Sequence, residues 1–250
     1  MKQHWTKLIV WAAICLLIAA CVGALAEPSG DWTYVVEDDG SATITAYDGA
    51  DGAISAPKTL DGHAVLKIGE NVFNGKQTLT AVTLPEGLQV IGAGAFRDSS
   101  IASVNLPLTL TTLGDDAFNG CTALTSDVLL PAGLTAVGAN AFKDTGISGI
   151  EFVDGLETIG DGAFENCASL SHVDLPLSLA SIGRAAFQGC GLSDINLPRS
   201  ALVCVKNAQG ELDDAACSFD AGVALHTNDW DWIIVGGEAK ITGWRGSDAD

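Results

Sequence analysis

The sequence predicts a solenoid of stacked coils, mainly β, in which each coil carries one short helical turn. Three observations carry this prediction. An aliphatic residue followed by glycine recurs six times at spacings of 22 to 24 residues, a phenylalanine follows each pair, and a proline recurs in the same phase. A period of this length marks one supersecondary unit that stacks on its copies, so residues 60–198 are predicted to form an array of about six coils.

The repeated residues are predicted to be structural. The glycines of the six pairs are Gly69, Gly92, Gly114, Gly138, Gly160 and Gly183. The phenylalanines are Phe73, Phe96, Phe118, Phe142, Phe164 and Phe187. The prolines are Pro85, Pro107, Pro131, Pro176 and Pro198, with Val153 in the remaining slot.

Each unit is interpreted from its residue types. Val82 and Leu84 alternate with small polar residues, which predicts a half-buried strand, and Pro85 ends it because proline has no N–H for a ladder. The glycine of each pair is expected at positive φ or where two backbones approach closely. The segment before each phenylalanine is compatible with a helical turn, which would end two residues later at left-handed positions. Those positions are Gly75, Asp98, Gly120, Asp144, Asn166 and Gly189.

Residues 1–26 are predicted to form an export signal. Lys2 and Lys7 precede an uncharged run, and Ala24-Leu25-Ala26 fits a small-residue cleavage site. Two alternatives stay open. Ile18-Ala19-Ala20 before Cys21 resembles a lipoprotein box, and the uncharged run reaches the length of a spanning helix. All three interpretations place the protein outside the cell or at its surface, with lipoprotein anchoring through Cys21 in one of them.

Caps are predicted at both ends of the array. Residues 27–59 contain a β-hairpin signal, because alternating segments at 31–36 and 43–47 flank an acidic turn at 37–40. After residue 198 the period ends, and residues 199–228 are predicted to form a strand–helix–strand cap. Its elements are a strand at 202–205, a helix at 212–219 with apolar residues on one face, and a closing strand at 223–225.

Residues 229–250 repeat the N-terminal hairpin with a turn one residue shorter. The matching residues are Trp32 and Trp230, Tyr34 and Trp232, Ile44 and Ile241, and Tyr47 and Trp244. The repetition predicts the start of a second, truncated hairpin module. It also leads us to expect that the chain is a fragment or a relic of a longer tandem array.

The charge balance favours some partners over others. There are 31 acidic and 12 basic residues, for a net charge of −19. Nucleic acids and anionic membranes attract basic patches, so no nucleic-acid partner is predicted. Membrane contact is expected only through the N-terminal segment, if it is uncleaved or lipidated. The acidic groups at 37–40 and 48–52 raise a calcium hypothesis, but they fit no calcium-loop spacing and turn chemistry explains them more simply.

The search for catalytic residues is almost empty. His63, His172 and His226 lie in unrelated phases of the sequence, and no nucleophile elbow, metalloprotease or phosphate-loop motif occurs. His172 is interpreted as a surface residue beside Asp174. The sequence therefore predicts no enzyme, no cofactor, no metal site and no small-molecule substrate.

Three cysteines share one phase of the repeat. Cys121, Cys167 and Cys190 stand where Ser99 and Thr145 stand in other units, which predicts a ladder of small buried side chains. Cys167 and Cys190 would lie on neighbouring coils, inside the roughly 4.4–6.8 Å Cα separation of a disulfide. Cys204 and Cys217 form another candidate pair, and the disulfide state is left open.

The exposed positions of the main strand are the candidate binding face, because stacked strands present them as one surface. The face starts small and neutral at Ala81, Thr83, Ser103 and Asn105. Toward the C-terminal coils it becomes acidic. The candidate partner-binding residues are Asp127, Leu129, Glu151, His172, Asp174, Asp194 and Asn196.

The repeat resembles a known family. The unit Leu-x-x-Val-x-Leu-Pro-x-x-Leu-x-x-Ile-Gly-x-x-Ala-Phe-x-x-Cys is similar to the BspA-type, or Treponema-type, leucine-rich repeat, with departures at Val153, Lys76, Ser99 and Thr145. The resemblance implies a leucine-rich-repeat solenoid over about residues 60–198. It also implies a secreted or cell-surface protein that binds other proteins, since several members are adhesins. The alternative function is a structural spacer in a longer multi-module surface protein.

Overall fold

The computed structural model describes residues 26–50, 52–196, 224–226, 230–235 and 238–244. Within these residues the chain forms 18 β-strands, and none of its segments is a helix long and apolar enough to cross a membrane. The first nine strands are β1 Glu27–Ser29, β2 Trp32–Val36, β3 Ala42–Tyr47, β4 Ala53–Ser55, β5 Thr59–Leu60, β6 His63–Ile68, β7 Ala81–Thr83, β8 Val90–Ile91 and β9 Thr112–Leu113. The others are β10 Val128–Leu129, β11 Ala136–Val137, β12 Ile150–Glu151, β13 Thr158–Ile159, β14 Ser181–Ile182, β15 Asp194–Asn196, β16 Ala224–His226, β17 Trp230–Val235 and β18 Glu238–Trp244.

Six stacked coils, each containing one of the repeated phenylalanines, form the array. On the side we call the front ladder, β4 pairs with β7, β10 with β12 and β15 with β16, all in parallel. Single bridges at Ser103 and Asp174 belong to the same side. On the back ladder, β6, β8, β9, β11, β13 and β14 pair in that order, also in parallel. The predicted mainly-β solenoid is confirmed.

The predicted helical turn in each coil is wrong, because the described part of the array contains no helix. In this segment, which we call the turn ladder, alternate backbone donors serve different partners. Arg97 N–H donates within the coil to Gly94 three residues back (3.0 Å), whereas Phe96 N–H donates to Ala117 O of the next coil (2.8 Å). A helix would need every donor to stay within its own segment. Sharing donors between coils gives the stack a third hydrogen-bonded side.

Left-handed residues bracket each segment of the turn ladder. The set expected two residues after each phenylalanine is confirmed, with φ between +53° and +75°. A second set, four residues earlier, has φ between +52° and +61° and was not predicted. Its members are Asn71, Gly94, Asp116, Asn140, Gly162 and Ala185.

The six phenylalanines form one continuous stack in the core. Each is at most 1% exposed, and neighbouring ring centroids lie 4.9 to 5.5 Å apart with planes within 15°. Trp32 and Tyr47 close the N-terminal end of the stack, with centroids 6.2 and 5.8 Å from that of Phe73. Stacked or tilted rings at these distances add to the energy of burial alone.

The glycine of each aliphatic–glycine pair is required by close backbone approach. None of the six has a positive φ, so the other expectation, close approach, is confirmed. At Gly138, a Cβ would lie 2.6 Å from the carbonyl carbon and oxygen of Gly114. An added methyl group would therefore push two coils apart.

The N-terminal strands extend the back ladder beyond the first coil. β2 pairs antiparallel with β1 and β3, and β3 pairs in parallel with β6. In its turn Gly40 has φ +80°, and Ser41 N–H donates to Asp39 Oδ1 at 2.8 Å. Both features are typical of a tight turn, so the acidic residues at 37–40 are explained by their role in the turn.

At the other end, β16 pairs in parallel with β15, and β17 pairs antiparallel with β16 and β18. β16 overlaps the residues of the predicted closing strand, and β17 and β18 overlap those of the predicted second hairpin, whose assignment to a separate module stays a prediction. The predicted strand at 202–205 and helix at 212–219 lie outside the described residues. So does the predicted export signal, apart from residue 26.

Candidate interaction face

The front ladder fixes the register of the candidate binding residues. Leu129 pairs with Glu151, and Glu151 forms a bridge with Asp174, so these three residues lie side by side on consecutive coils. Their side chains are exposed because the neighbouring strand residues Val128, Ile150 and Val173 point into the core. Parallel strands lie about 4.8 Å apart, so the row spans roughly 10 Å. Alternation in the sequence thus becomes one continuous exposed row.

A second row contains Asp127, Gly149 and His172. Gly149 has no side chain, and the Asp127 carboxylate leans over it, since a Cβ at Gly149 would lie 2.7 Å from Asp127 Oδ1. Ser148 Oγ donates a 3.0 Å hydrogen bond to the same oxygen. The Asp127 carboxylate is therefore held over the glycine rather than extending straight into solvent.

His172 and Asp174 stand on the same strand segment. Their Nε2 and Oδ1 atoms are 3.3 Å apart, and the two side chains are 72% and 83% exposed. A catalytic histidine needs a partner that orients it and a nucleophile within reach. Both side chains of this pair are instead mostly exposed to solvent. The geometry suits a surface contact.

The two rows enclose a shallow depression of about 330 Å³. Its lining includes the carboxylates of Asp127, Glu151 and Asp174 together with His172. Leu129, beside Glu151, is 49% exposed and places one apolar side chain at the edge of this acidic region. The arrangement can hold a cationic side chain among carboxylates, with an aliphatic stem against leucine.

The remaining members of the face differ in character. Ala81, Thr83, Ser103 and Asn105 lie on the front ladder of the second and third coils and are small and uncharged. Asp194 and Asn196 belong to β15, which continues the ladder. The structure describes their backbone but not their side chains. The face therefore changes from neutral to acidic along the array.

One contributor to the depression was not predicted. Ser148 lines it and donates to Asp127, and serine stands at the same repeat position in three other coils, as Ser126, Ser171 and Ser193. This recurrence of serine is the sequence signal that could have identified it. Within the described chain, no group of three or more His, Cys, Asp or Glu side chains is arranged to hold a metal ion.

Four members of the predicted ladder of small residues are buried, and the fifth, Cys190, is half-buried. Cys121 and Cys167 are fully buried, and Ser99 and Thr145 are 3% and 4% exposed. Ser99 Oγ lies 3.5 Å from Cys121 Sγ, and Thr145 Oγ1 lies 3.2 Å from Cys167 Sγ. Cys121 and Cys167 are free thiols in this structure.

Comparison with known proteins identifies the repeat and the fold. The family described as "BspA type Leucine rich repeat region" matches in six copies, over residues 58–167 and 135–208. A leucine-rich repeat protein from Bacteroides ovatus is similar in structure, with 30% identity, a TM-score of 0.63, and coverage of 69% of this chain and 47% of that one. No curated protein matches the chain.

Two further solved structures share the fold. A leucine-rich cell surface protein from Faecalibacterium prausnitzii has 23% identity and a TM-score of 0.54, covering 76% of this chain and 61% of that one. The pneumococcal vaccine antigen PcpA has 18% identity and a TM-score of 0.60, covering 77% of this chain and 53% of that one. The chain thus corresponds to about half to three-fifths of the length of these three proteins.

Proposed function

The chain belongs to the BspA-type leucine-rich-repeat family, and on that premise we propose that it is an exported, adhesin-like binding module that recognises a basic segment of another protein. Repeats of this family generally serve as non-enzymatic binding modules. One structural relative is described as a cell surface protein and another as a vaccine antigen, which supports an exposed location. We call the exposed side of the front ladder the front face. The proposed contact surface is its acidic half, toward the C-terminal coils.

The charge on that face is the observation that carries the proposal. Asp127, Glu151 and Asp174 present three carboxylates within three coils, and their positions are fixed by the front ladder. Lysine and arginine side chains complement such a surface, and the net charge of −19 would also speed their approach. The same charge argues against nucleic acid as a partner.

The residue types of the face set the expected strength of binding. It lacks the Trp, Tyr and Arg that anchor tight interfaces, within the coils whose side chains are described. Exposed ion pairs contribute about 0.2–1 kcal/mol each, so three of them amount to roughly 1–3 kcal/mol. Single contacts should therefore be weak and salt-dependent, and useful affinity would come from several contacts at once.

Charge reversal tests the proposal. A Glu151→Lys/Asp174→Lys variant should bind a lysine-rich peptide about tenfold or more weakly at low salt, as measured by fluorescence anisotropy, because attraction becomes repulsion at the centre of the face. The matched control is Asp154→Lys/Glu157→Lys. It makes the same charge change in the coil that contains Glu151, at exposed positions between β12 and β13, away from the front face.

The comparison between the two variants decides the outcome. A large loss in the front-face variant with a small loss in the control supports the proposed site. Equal losses would mean that the peptide senses only net charge, and absence of binding by the parent protein would contradict the proposal directly. Either result would favour the alternative function, a spacer that holds other modules away from the cell surface.

A further inference from the structure

The chain contains two three-stranded β-meanders with the same internal register. The N-terminal meander is β1–β2–β3, and the C-terminal meander is β16–β17–β18. Trp32 pairs with Tyr47 in the first, and Trp230 pairs with Trp244 in the second. Both ladders shift register one residue further along, between Thr33 and Tyr34 and between Asp231 and Trp232. Such a shared irregularity marks the two meanders as copies of one unit.

The two copies use opposite edges. In the N-terminal meander, the outer edge of β3 pairs in parallel with β6 of the first coil, with Ile44 opposite Ile68. Trp32 and Tyr47 from that meander cover Phe73 of the same coil. In the C-terminal meander, the outer edge of β16 pairs in parallel with β15, with Leu225 opposite Ile195. The third strand is paired with a coil in the N-terminal copy, and the first strand is paired with a coil in the C-terminal copy. Among the described residues, the edge that is paired in one copy is thus open in the other, so each copy indicates what can pair there.

We propose that the outer edge of β18 is a docking site for the first coil of a further leucine-rich array, and that the meander is a connector between two arrays. The incoming strand would be of the β6 type and would pair in parallel with β18, with Ile241 taking the register position of Ile44. Trp230 and Trp244 would take the positions that Trp32 and Tyr47 hold over Phe73. This inference does not depend on the front face or on what binds there.

The sequence after each hairpin supports the same conclusion. Tyr47 is followed by Asp-Gly-Ala-Asp and Trp244 by Arg-Gly-Ser-Asp, so Gly49 and Gly246 occupy equivalent positions. Gly49 cannot be replaced at its site without movement, because a Cβ there would lie 2.5 Å from Tyr47 Oη and 2.7 Å from Asp31 Oδ2. The C-terminal copy keeps the residue that lets the chain leave the hairpin toward a coil.

An open edge needs an occupant because unpaired strand donors and acceptors attract any available strand. The edge of β18 combines backbone pairing, an isoleucine at the register position of Ile44 and a paired aromatic register, and in the N-terminal copy all three serve one occupant, the first coil. Antiparallel pairing of β18 with a second β18 has no counterpart at the equivalent edge of the N-terminal copy, where β3 pairs in parallel with β6. We therefore favour an array coil as the occupant.

A chimera tests whether the C-terminal meander can hold a first coil. Residues 225–250 replace residues 27–53, so that Ile54 follows directly. The readout is hydrogen exchange at the Gly69 amide, which in the parent chain donates to Ile44 O at 2.8 Å. We expect the chimera to protect this amide to within about tenfold of the parent, because the same ladder forms with Ile241. The control chimera carries Trp230→Ser and Trp244→Ser and should lose protection in the first coil.

Two results would overturn the docking site: a chimera that exchanges freely at Gly69 while later coils stay protected, or one that does not fold. A second protein, the full chain followed by residues 54–250, places a first coil directly after β18. It should behave in small-angle scattering as one elongated body and unfold in one transition. Two independent transitions, or dimers of the unextended chain that Ile241→Pro abolishes, would show that β18 does not take a coil.

Discussion

Among the described residues, Ala185 is the one residue other than glycine, asparagine and aspartate that has a left-handed backbone. Its φ is +53°, in the left-handed region where the five other coils place glycine, asparagine or aspartate. A Cβ in this region costs roughly 1–2 kcal/mol, and alanine has no polar group to offset it locally. The turn ladder imposes the conformation, since equivalent residues adopt it whatever their type.

Replacing Ala185 with glycine should therefore stabilise the protein. We expect a gain of about 1 kcal/mol, or roughly 2–4 °C in Tm by calorimetry, since glycine removes the clash but gains entropy when unfolded. Ala186→Gly is the control, because Ala186 is fully buried and not left-handed. That change should destabilise, and a loss of stability in both variants would contradict the strain argument.

The two buried thiols Cys121 and Cys167 differ in their surroundings. Burial raises the pKa of Cys121, whereas hydrogen bonding with the Cys190 side chain lowers the pKa of Cys167 despite its burial. Cys121 has Ser99 and Thr145 at the ladder positions before and after it, so no thiol is adjacent. Cys167 and Cys190 occupy consecutive positions, and each donates a 3.1 Å hydrogen bond to the carbonyl of a repeated phenylalanine.

Mild oxidation should therefore link Cys167 to Cys190 and leave Cys121 reduced. Glutathione disulfide would take up the two hydrogens of the thiols and leave as two reduced glutathione molecules. Peptide mapping of the native protein should find a cross-link between the peptides containing Cys167 and Cys190. Cys190→Ser should abolish it and Cys121→Ser should not. Recovery of both as free thiols after prolonged exposure to oxidant would contradict the expectation.

At the scale of the element, the phenylalanine stack holds neighbouring coils in phase. Phe142→Ala should cost about 3–5 kcal/mol in urea unfolding, because it removes a fully buried ring that has a stacked neighbour on each side. Phe152→Ala is a matched control, since Phe152 is half-buried and meets the stack only edge-on, 5.9 Å from Phe164. Its cost should be about 1–2 kcal/mol. Similar costs for both would mean that the stack adds little to burial.

Periodicity predicted what is repeated in every coil and little else. The inward Val82, the phenylalanines and the front-face register follow from alternation and phase, so they could be read directly. The helical turn was mispredicted because small residues before Phe96 and a left-handed residue at Asp98 suit a helix end equally well. The Phe96 N–H donates to the Ala117 carbonyl on the next coil and not within a helical turn. The local sequence does not reveal this acceptor.

The same limit applies to the candidate site. Asp127, Glu151 and His172 could be placed on one face from their phase alone. The depression depends on the missing side chain of Gly149, which no other coil repeats, and on the hydrogen bond that Ser148 donates to Asp127. Their effect depends on the coils on either side, so only the folded array shows it.

At the scale of the whole molecule, unbalanced charge should limit stability. The chain carries a net charge of −19, and the ion pairs among its described residues have side chains that are 25–83% exposed. Raising NaCl from about 10 to about 150 mM shortens the Debye length from about 30 to about 8 Å, so Tm should rise. CaCl₂ at equal ionic strength should raise it to a similar extent. A much larger rise with calcium would revive the calcium hypothesis for the acidic turns.

The even spacing of the phenylalanine rings means that the length of the array is set by the number of its coils. Each coil of 22 to 24 residues advances the stack by 4.9 to 5.5 Å, and all six coils offer the same junction to their neighbours. Recombination that duplicates or deletes one whole repeat therefore keeps every ladder in phase. Loss of half a repeat would set a phenylalanine against a strand. Evolutionary changes in the length of the array should thus come in steps of one whole coil, while the terminal meanders stay unchanged.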